Sequence, residues 1–202
     1  MLYDIVRLIF FLIILGLGFL LLRRLKATRK LFIIVPLSIL WMGLFLASSS
    51  FPVENLFINF KSPEAVFYYT KSGKIESVVY GNDSCMINYF SGTTLTVVYI
   101  PKLATGYKIP GPFISRTVSQ RIDVHASCVF TVDNVKNTND YYISGGIIPS
   151  GSDMRIFDKD GDTIGTFTRI VTPSVNISYA YVHNLPDGAY ALINGEKVLI
   201  AN

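Results

Sequence analysis

The feature that most constrains this chain lies in its first fifty residues, where two long uncharged apolar runs flank a short basic segment. The first run, residues 8–22, reads LIFFLIILGLGFLLL. Adding Ile5, Val6 and Arg7, whose long stem can carry its charge toward water, gives a helix of roughly 27 Å at ~1.5 Å per residue. That approaches the thickness of a hydrocarbon core, roughly 30 Å. The second run, residues 31–47, reads LFIIVPLSILWMGLFLA, with Pro36 placed to bend a helix. Only RRLKATRK separates them, room for a tight turn and little else. The pattern predicts a two-helix transmembrane hairpin over residues 1–50, with spans at about 5–22 and 31–49. Neither run holds an ionisable residue, so an anchor is expected and not a proton or ion pathway. Gly16 and Gly18 are not spaced as GxxxG and suit local packing within the hairpin.

Orientation follows from the loop cations Arg23, Arg24, Lys26, Arg29 and Lys30. Short loops rich in Lys and Arg stay in the cytoplasm, so the 23–30 loop is predicted to be cytoplasmic and residues 51–202 extracytoplasmic. The competing reading is a signal peptide cleaved after the second run, since Ala47, Ser48 and Ser49 are small. A signal peptide, however, has one apolar region of about 7 to 15 residues, not two of span length. The charge balance supports the anchor. The chain carries a net +4, but its first fifty residues hold six cations against Asp4, and the rest holds 12 basic and 13 acidic groups. The basic character therefore belongs to the anchor, which excludes nucleic acid as the expected partner and points to the lipid bilayer.

From Phe51 onward, alternation and turn residues predict strands, with one helix near the start. Ser62-Pro63-Glu64 is a helix-start signal, because Ser caps, Pro suits the first helical position and Glu favours the dipole. The helix is expected over Pro63 to Thr70, followed by strands at about 74–80, 84–90 and 93–100. Residues 101–112 hold three prolines and two glycines and read as a linker. Beyond it, residues 122–132 alternate as one half-buried strand. Further strands are expected at about 141–148, 154–157, 163–171, 175–183, 188–193 and 197–201. The fold class is thus mainly β with an N-terminal transmembrane α-hairpin: a small α+β module at 51–110 followed by an immunoglobulin-like β-sandwich at 113–202.

Chemistry-bearing residues are sparse. Asp158-Lys159-Asp160-Gly161-Asp162 resembles the opening of a calcium loop, but Thr163 and Arg169 stand where that loop needs Gly and Glu. A β-hairpin turn is the better reading. His125 lies on the polar side of its strand, and His183 shares an alternation with Val175, Ile177, Tyr179 and Tyr181, as a core or edge histidine does. HExxH, GxSxG, CxxC, Walker A and Rossmann glycine patterns are all missing from the sequence. Cys85 and Cys128 are a candidate disulfide in an oxidising compartment, against which Cys128 sits within an apolar alternation where a free thiol packs as a small hydrophobe. Tyr141, Tyr142, Tyr179 and Tyr181 are candidates for an interaction surface, with ordinary sheet packing as the alternative. Asn82 and Asn176 each begin a glycosylation sequon.

The stretch FKSPEAVFYYTKSGKIESVVYGNDSCMINY, Phe60 to Tyr89, resembles a segment of small uncharacterised membrane-anchored extracytoplasmic proteins of Gram-positive bacteria, in which SPE begins a helix and GKI a hairpin. The resemblance implies a bacterial, surface-facing context and transfers no catalytic residue. The expectation is a non-catalytic binding or interaction protein of the cell envelope, without cofactor or metal, whose partner is a protein or envelope component. The alternatives are an accessory or regulatory subunit of a membrane complex acting through the hairpin, and an envelope hydrolase built on His125, His183 or the 158–162 acids.

Overall fold

The computed structural model describes residues 2–23, 27–50, 52–111, 117–125, 128–146, 154–172, 175–193 and 196–201. Two long helices come first, α1 (Leu2–Arg23) and α2 (Ala27–Ser50). Over Tyr3–Leu20, α1 is long and apolar enough to cross a membrane. The apolar stretch of α2 within the described residues, Phe32–Leu44, is shorter. Helical geometry begins before the second apolar run, at Ala27, so the last four residues of the eight-residue loop expected from the charge pattern are helical; residues 24–26 lie outside the described residues. Arg23 ends α1, and Arg29 and Lys30 belong to the start of α2. Pro36 lies inside α2 without ending it. The two helices touch where Phe11 meets Trp41 edge-on at 5.7 Å, and a methyl on Gly18 would stand 3.6 Å from Leu37.

A 3-10 turn at Val53–Leu56 leads to α3 (Pro63–Thr70), whose bounds are those read from its cap. Ser62 Oγ accepts from the Ala65 amide at 3.2 Å, and Pro63 gives up a backbone donor that would have had no helical partner. The helix covers an antiparallel sheet of order β1 (Lys74–Tyr80), β2 (Ser84–Ser91), β3 (Thr94–Leu103) and β4 (Gly106–Tyr107). Strand β2 is buried from Ser84 to Tyr89 because both of its faces are covered. Cys85, Ile87 and Tyr89 pack beneath Val66 and Phe67 of α3, while Met86 points the other way. The expected linker at 101–112 is largely structured: Pro101 lies within β3, and Lys102 pairs with Tyr107 across a short hairpin.

The remaining chain forms two sheets. One has the order β10 (Thr168–Thr172), β11 (Val175–His183), β7 (Asp140–Gly146), β6 (Cys128–Val135) and β5 (Thr117–His125). The other has the order β13 (Glu196–Leu199), β12 (Tyr190–Ile193), β8 (Arg155–Phe157) and β9 (Thr163–Thr166). They share a core in which Phe130, Val132, Ile143, Ala180 and Val182 of the first sheet meet Ile156 and Ala191 of the second. Each of the larger side chains among them, the phenylalanine, valines and isoleucines, contributes on the order of 1.5 to 3 kcal/mol on burial.

Two expected strands prove to be pairs. Residues 122–132 contain a hairpin, with His125 facing Cys128 at its closed end. Residues 163–171 break at Phe167, where the chain leaves β9 in one sheet for β10 in the other while the Phe167 ring packs near Phe130 at 5.7 Å.

Candidate functional site

The first sheet of the α+β module lies against the face of the β10-β11-β7-β6-β5 sheet opposite its core. Met86, Val135 and Tyr142 are buried there, with Val79, Tyr99, Tyr179 and Tyr181 packed around them. Alternation explains the division. Along β7, Asp140 and Tyr142 turn to the module while Tyr141 and Ile143 turn to the core; along β11, Tyr179, Tyr181 and His183 turn to the module while Ala180 and Val182 turn away.

At one end of this contact stands a fully buried carboxylate, Asp140. Its Oδ2 accepts from the Asp83 amide at 2.9 Å and the Ser84 hydroxyl at 2.7 Å. Its Oδ1 accepts from the Tyr181 hydroxyl at 2.9 Å and lies 3.0 Å from His183 Nδ1. Local folding puts each group in place. His183 and Asp140 are direct partners in the β11–β7 register, as are Tyr181 and Tyr142 two pairs further in. The β1–β2 turn delivers Asp83 and Ser84, and it closes on the carboxylate because Gly81 has no side chain: a Cβ there would stand 2.5 Å from Asp140 Oδ2 and 2.6 Å from the Tyr142 hydroxyl. The Tyr181 hydroxyl also accepts from the Asn82 amide at 2.9 Å. Asn134 Nδ2 donates to the Asp140 carbonyl at 3.2 Å, and Thr138 Oγ1 accepts from its amide at 3.2 Å.

Burial pulls the Asp140 carboxyl upward, but the hydrogen bonds from Ser84, His183, Asp83 and Tyr181 outweigh it and hold the group below its ordinary value. Burial, with the Asp140 charge beside it, pushes the Tyr181 phenol up to about 12. Burial likewise raises the phenols of Tyr99 and Tyr142. Tyr99 donates at 2.6 Å to a second buried carboxylate, Asp133. The interface is therefore held by two carboxylates that receive tyrosine hydroxyls within an aromatic layer.

In chemical terms, the Asp140–His183 contact has the orientation of a carboxylate that positions a catalytic histidine. The adjacent hydroxyl, Ser84, is bonded to the carboxylate instead of to the imidazole, and it is fully buried. Ligand atoms of Asp83, Asp140 and His183 lie within 4.8 Å of one another, close enough to share a cation. Against that use, a carboxylate offers about four lone-pair sites, and four donors occupy those of Asp140. The arrangement suits a clamp between module and sheet.

The other sequence-derived candidates fall elsewhere. Of the four tyrosines proposed as an outer surface, Tyr142 is buried and Tyr179 and Tyr181 pack inside the module contact, while Tyr141 lies against the opposite core. They serve internal packing, the alternative reading. Asp158–Asp162 form the β8–β9 turn: Asp158 Oδ1 accepts from the amides of Asp160 at 3.0 Å and Asp162 at 2.8 Å, and Gly161 takes a φ of +93°. The Cys85 thiol is buried and free, so the bridge to Cys128 is not formed. Burial pushes that thiol up to about 12, far from a reactive thiolate. The side chains of Cys128 and His125 lie outside the described residues, as do Asn194 and Gly195, whose sequence reads as a hairpin turn.

Two features escaped the sequence reading. Asp140 carries no local sign of burial, although its place at the start of an alternating YYIS strand was available as a signal. Arg7, read as reaching for water, instead pairs with buried Glu54, Nε to Oε1 at 3.2 Å, and stacks over Tyr3 at 4.1 Å.

Compared with known proteins, the chain matches no family model, no curated protein and no solved structure.

Proposed function

We propose that this chain is a membrane-anchored, extracytoplasmic binding protein of the bacterial cell envelope and that it acts without catalysis. The observation carrying the reading is the Arg7–Glu54 pair: it ties a helix apolar enough to cross a membrane to the turn that begins the sheet-rich region. The basic residues between α1 and α2 favour two spans with the loop in the cytoplasm and residues 51–202 outside. An immunoglobulin-like reading of the two facing sheets is supported by strand order. β6-β7-β11-β10 opposite β13-β12-β8-β9 follows the A-B-E-D opposite G-F-C-C′ arrangement, with β5 added beyond β6. The resemblance of residues 60–89 to membrane-anchored proteins of Gram-positive bacteria fits the same placement.

Two measurements test this. Protease added to right-side-out vesicles is expected to digest residues 51–202, and full protection of them overturns the topology. Cross-linking of the full chain in intact cells, read by mass spectrometry, is expected to capture one envelope component through residues 51–202, and the absence of any reproducible adduct there sinks the binding role.

A second reading, an accessory subunit acting through the hairpin, is favoured by a groove of about 450 Å³ between the helices, lined by Gly18, Phe19, Leu37 and Trp41 among others. Replacing the hairpin with an unrelated two-span anchor separates the two, because only the accessory role is then lost.

A further inference from the structure

The 3-10 turn after α2 exposes two large apolar side chains next to each other, Leu56 at 73% and Phe57 at 85%. Their exposure is built in and does not come from slack in the loop. The turn closes through Phe57 and Ile58 amides on the Glu54 carbonyl, at 3.0 and 2.7 Å. The Asn55 side chain accepts from the Ile109 amide at 2.8 Å and donates to its carbonyl at 2.9 Å. Buried Lys108 donates from Nζ to the Asn55 carbonyl at 2.7 Å, to the Ile58 carbonyl at 3.2 Å and to Asn59 Oδ1. Every residue beside the pair is fastened to the module, and the pair itself is held outward.

The depth of this turn follows from α1. Its uncharged run, residues 8–22, covers only about 22 Å at ~1.5 Å per residue, less than a hydrocarbon core of roughly 30 Å. A bilayer crossed by α1 must therefore reach the level of Arg7. Glu54, two residues before Leu56, is bonded to Arg7 and shares that level. Near that level α1 turns Ile5 and Leu8 outward, each more than half exposed, beside the exposed acid Asp4, so the pair stands at the height where the outward side chains of α1 pass from apolar to charged.

We propose that Leu56 and Phe57 form a wedge that enters the interfacial region of the bilayer beside the hairpin and fixes the α+β module against the membrane. The partner is lipid, recognised by apolar and aromatic burial at headgroup depth. This inference rests on the membrane reading above, and the test separates the two. The chain has one tryptophan, Trp41, in α2. The full chain is reconstituted in vesicles of phosphatidylcholine and phosphatidylglycerol, with and without lipids brominated near the headgroup end of the acyl chain. Wild type reports α2 through Trp41; W41F/F57W and W41F/L56W report the turn; W41F/K159W, in the exposed β8–β9 turn, reports water. The indoles introduced at 56 and 57 are expected to emit blue-shifted, to lose most of their emission to brominated lipid and to resist aqueous iodide, whereas that at 159 does the reverse. If Trp41 is quenched by brominated lipid but the indoles at 56 and 57 are quenched by iodide, the wedge is overturned and the anchor stands. If Trp41 too is untouched by brominated lipid, the anchor itself fails and the wedge with it.

Discussion

The sheet of β10, β11, β7, β6 and β5 has two covered faces, and they are built from different chemistry. Toward β8 and β12 it presents Phe130, Val132, Ile143, Ala180 and Val182, an apolar core without polar side-chain groups to pair. Toward the α+β module it presents Tyr142, Tyr179, Tyr181, Asp133 and Asp140, whose two carboxylates take hydrogen bonds from Ser84 and Tyr99 of the module. A buried polar group costs free energy unless it finds its partner, so the second face specifies orientation more than it adds stability. One strand, β7, serves both roles through alternate residues, Ile143 one way and Asp140 and Tyr142 the other.

That contrast can be broken at four points. The largest loss is expected from Ile143→Ala, about 3 to 4 kcal/mol of unfolding free energy in urea titration of the detergent-solubilised chain, with the whole sheet pair affected. Asp140→Ala is expected to cost about 3 kcal/mol by leaving buried donors without an acceptor. Its damage should be local: hydrogen exchange accelerates in the 80–84 turn while the amides of β8 and β12 in the opposite sheet stay protected. Uniform loss of protection would show that the two faces are not distinct. Tyr99→Phe removes the bond to Asp133 and is expected to lower stability by about 1.5 kcal/mol, with the burial of the ring unchanged.

The smallest effect is a pH dependence confined to the polar face. Because the folded Asp140 carboxyl lies below its ordinary value, its contribution is complete above the ordinary carboxylate range and declines as pH falls through that range toward the folded value. Thermal midpoints of wild type should therefore fall more steeply on acidification than those of Asp140→Asn. Parallel slopes would remove Asp140 from the pH response.

Much of the architecture was legible because its signals are local. The cap at Ser62 and the proline at 63 placed α3 residue for residue, and Ser91 to Thr94 announced a hairpin through Gly92. The β5–β6 hairpin hid for a physical reason. Ile122 pairs with Phe130 and Asp123 with Val129, partners of like parity until the register shifts before His125, so the sequence alternation of the two strands reads as one, and His-Ala-Ser-Cys holds no glycine, proline, asparagine or aspartate to mark a turn. The break at Phe167 was equally silent, since a core aromatic and not a glycine marks the corner. Least legible was the Asp140 clamp. Its donors come from residues 83, 84, 181 and 183, and only strand pairing brings them to one point.

The Arg7–Glu54 pair joins residues 47 positions apart, one in the first turns of α1 and the other just past α2. On the proposed membrane arrangement, the first turn of the sheet-rich region is thereby tied to α1. Helix placement and the seating of the module share one contact, so a change confined to the membrane segment, such as loss of the Arg7 guanidinium, is felt at a buried carboxylate of the domain above it.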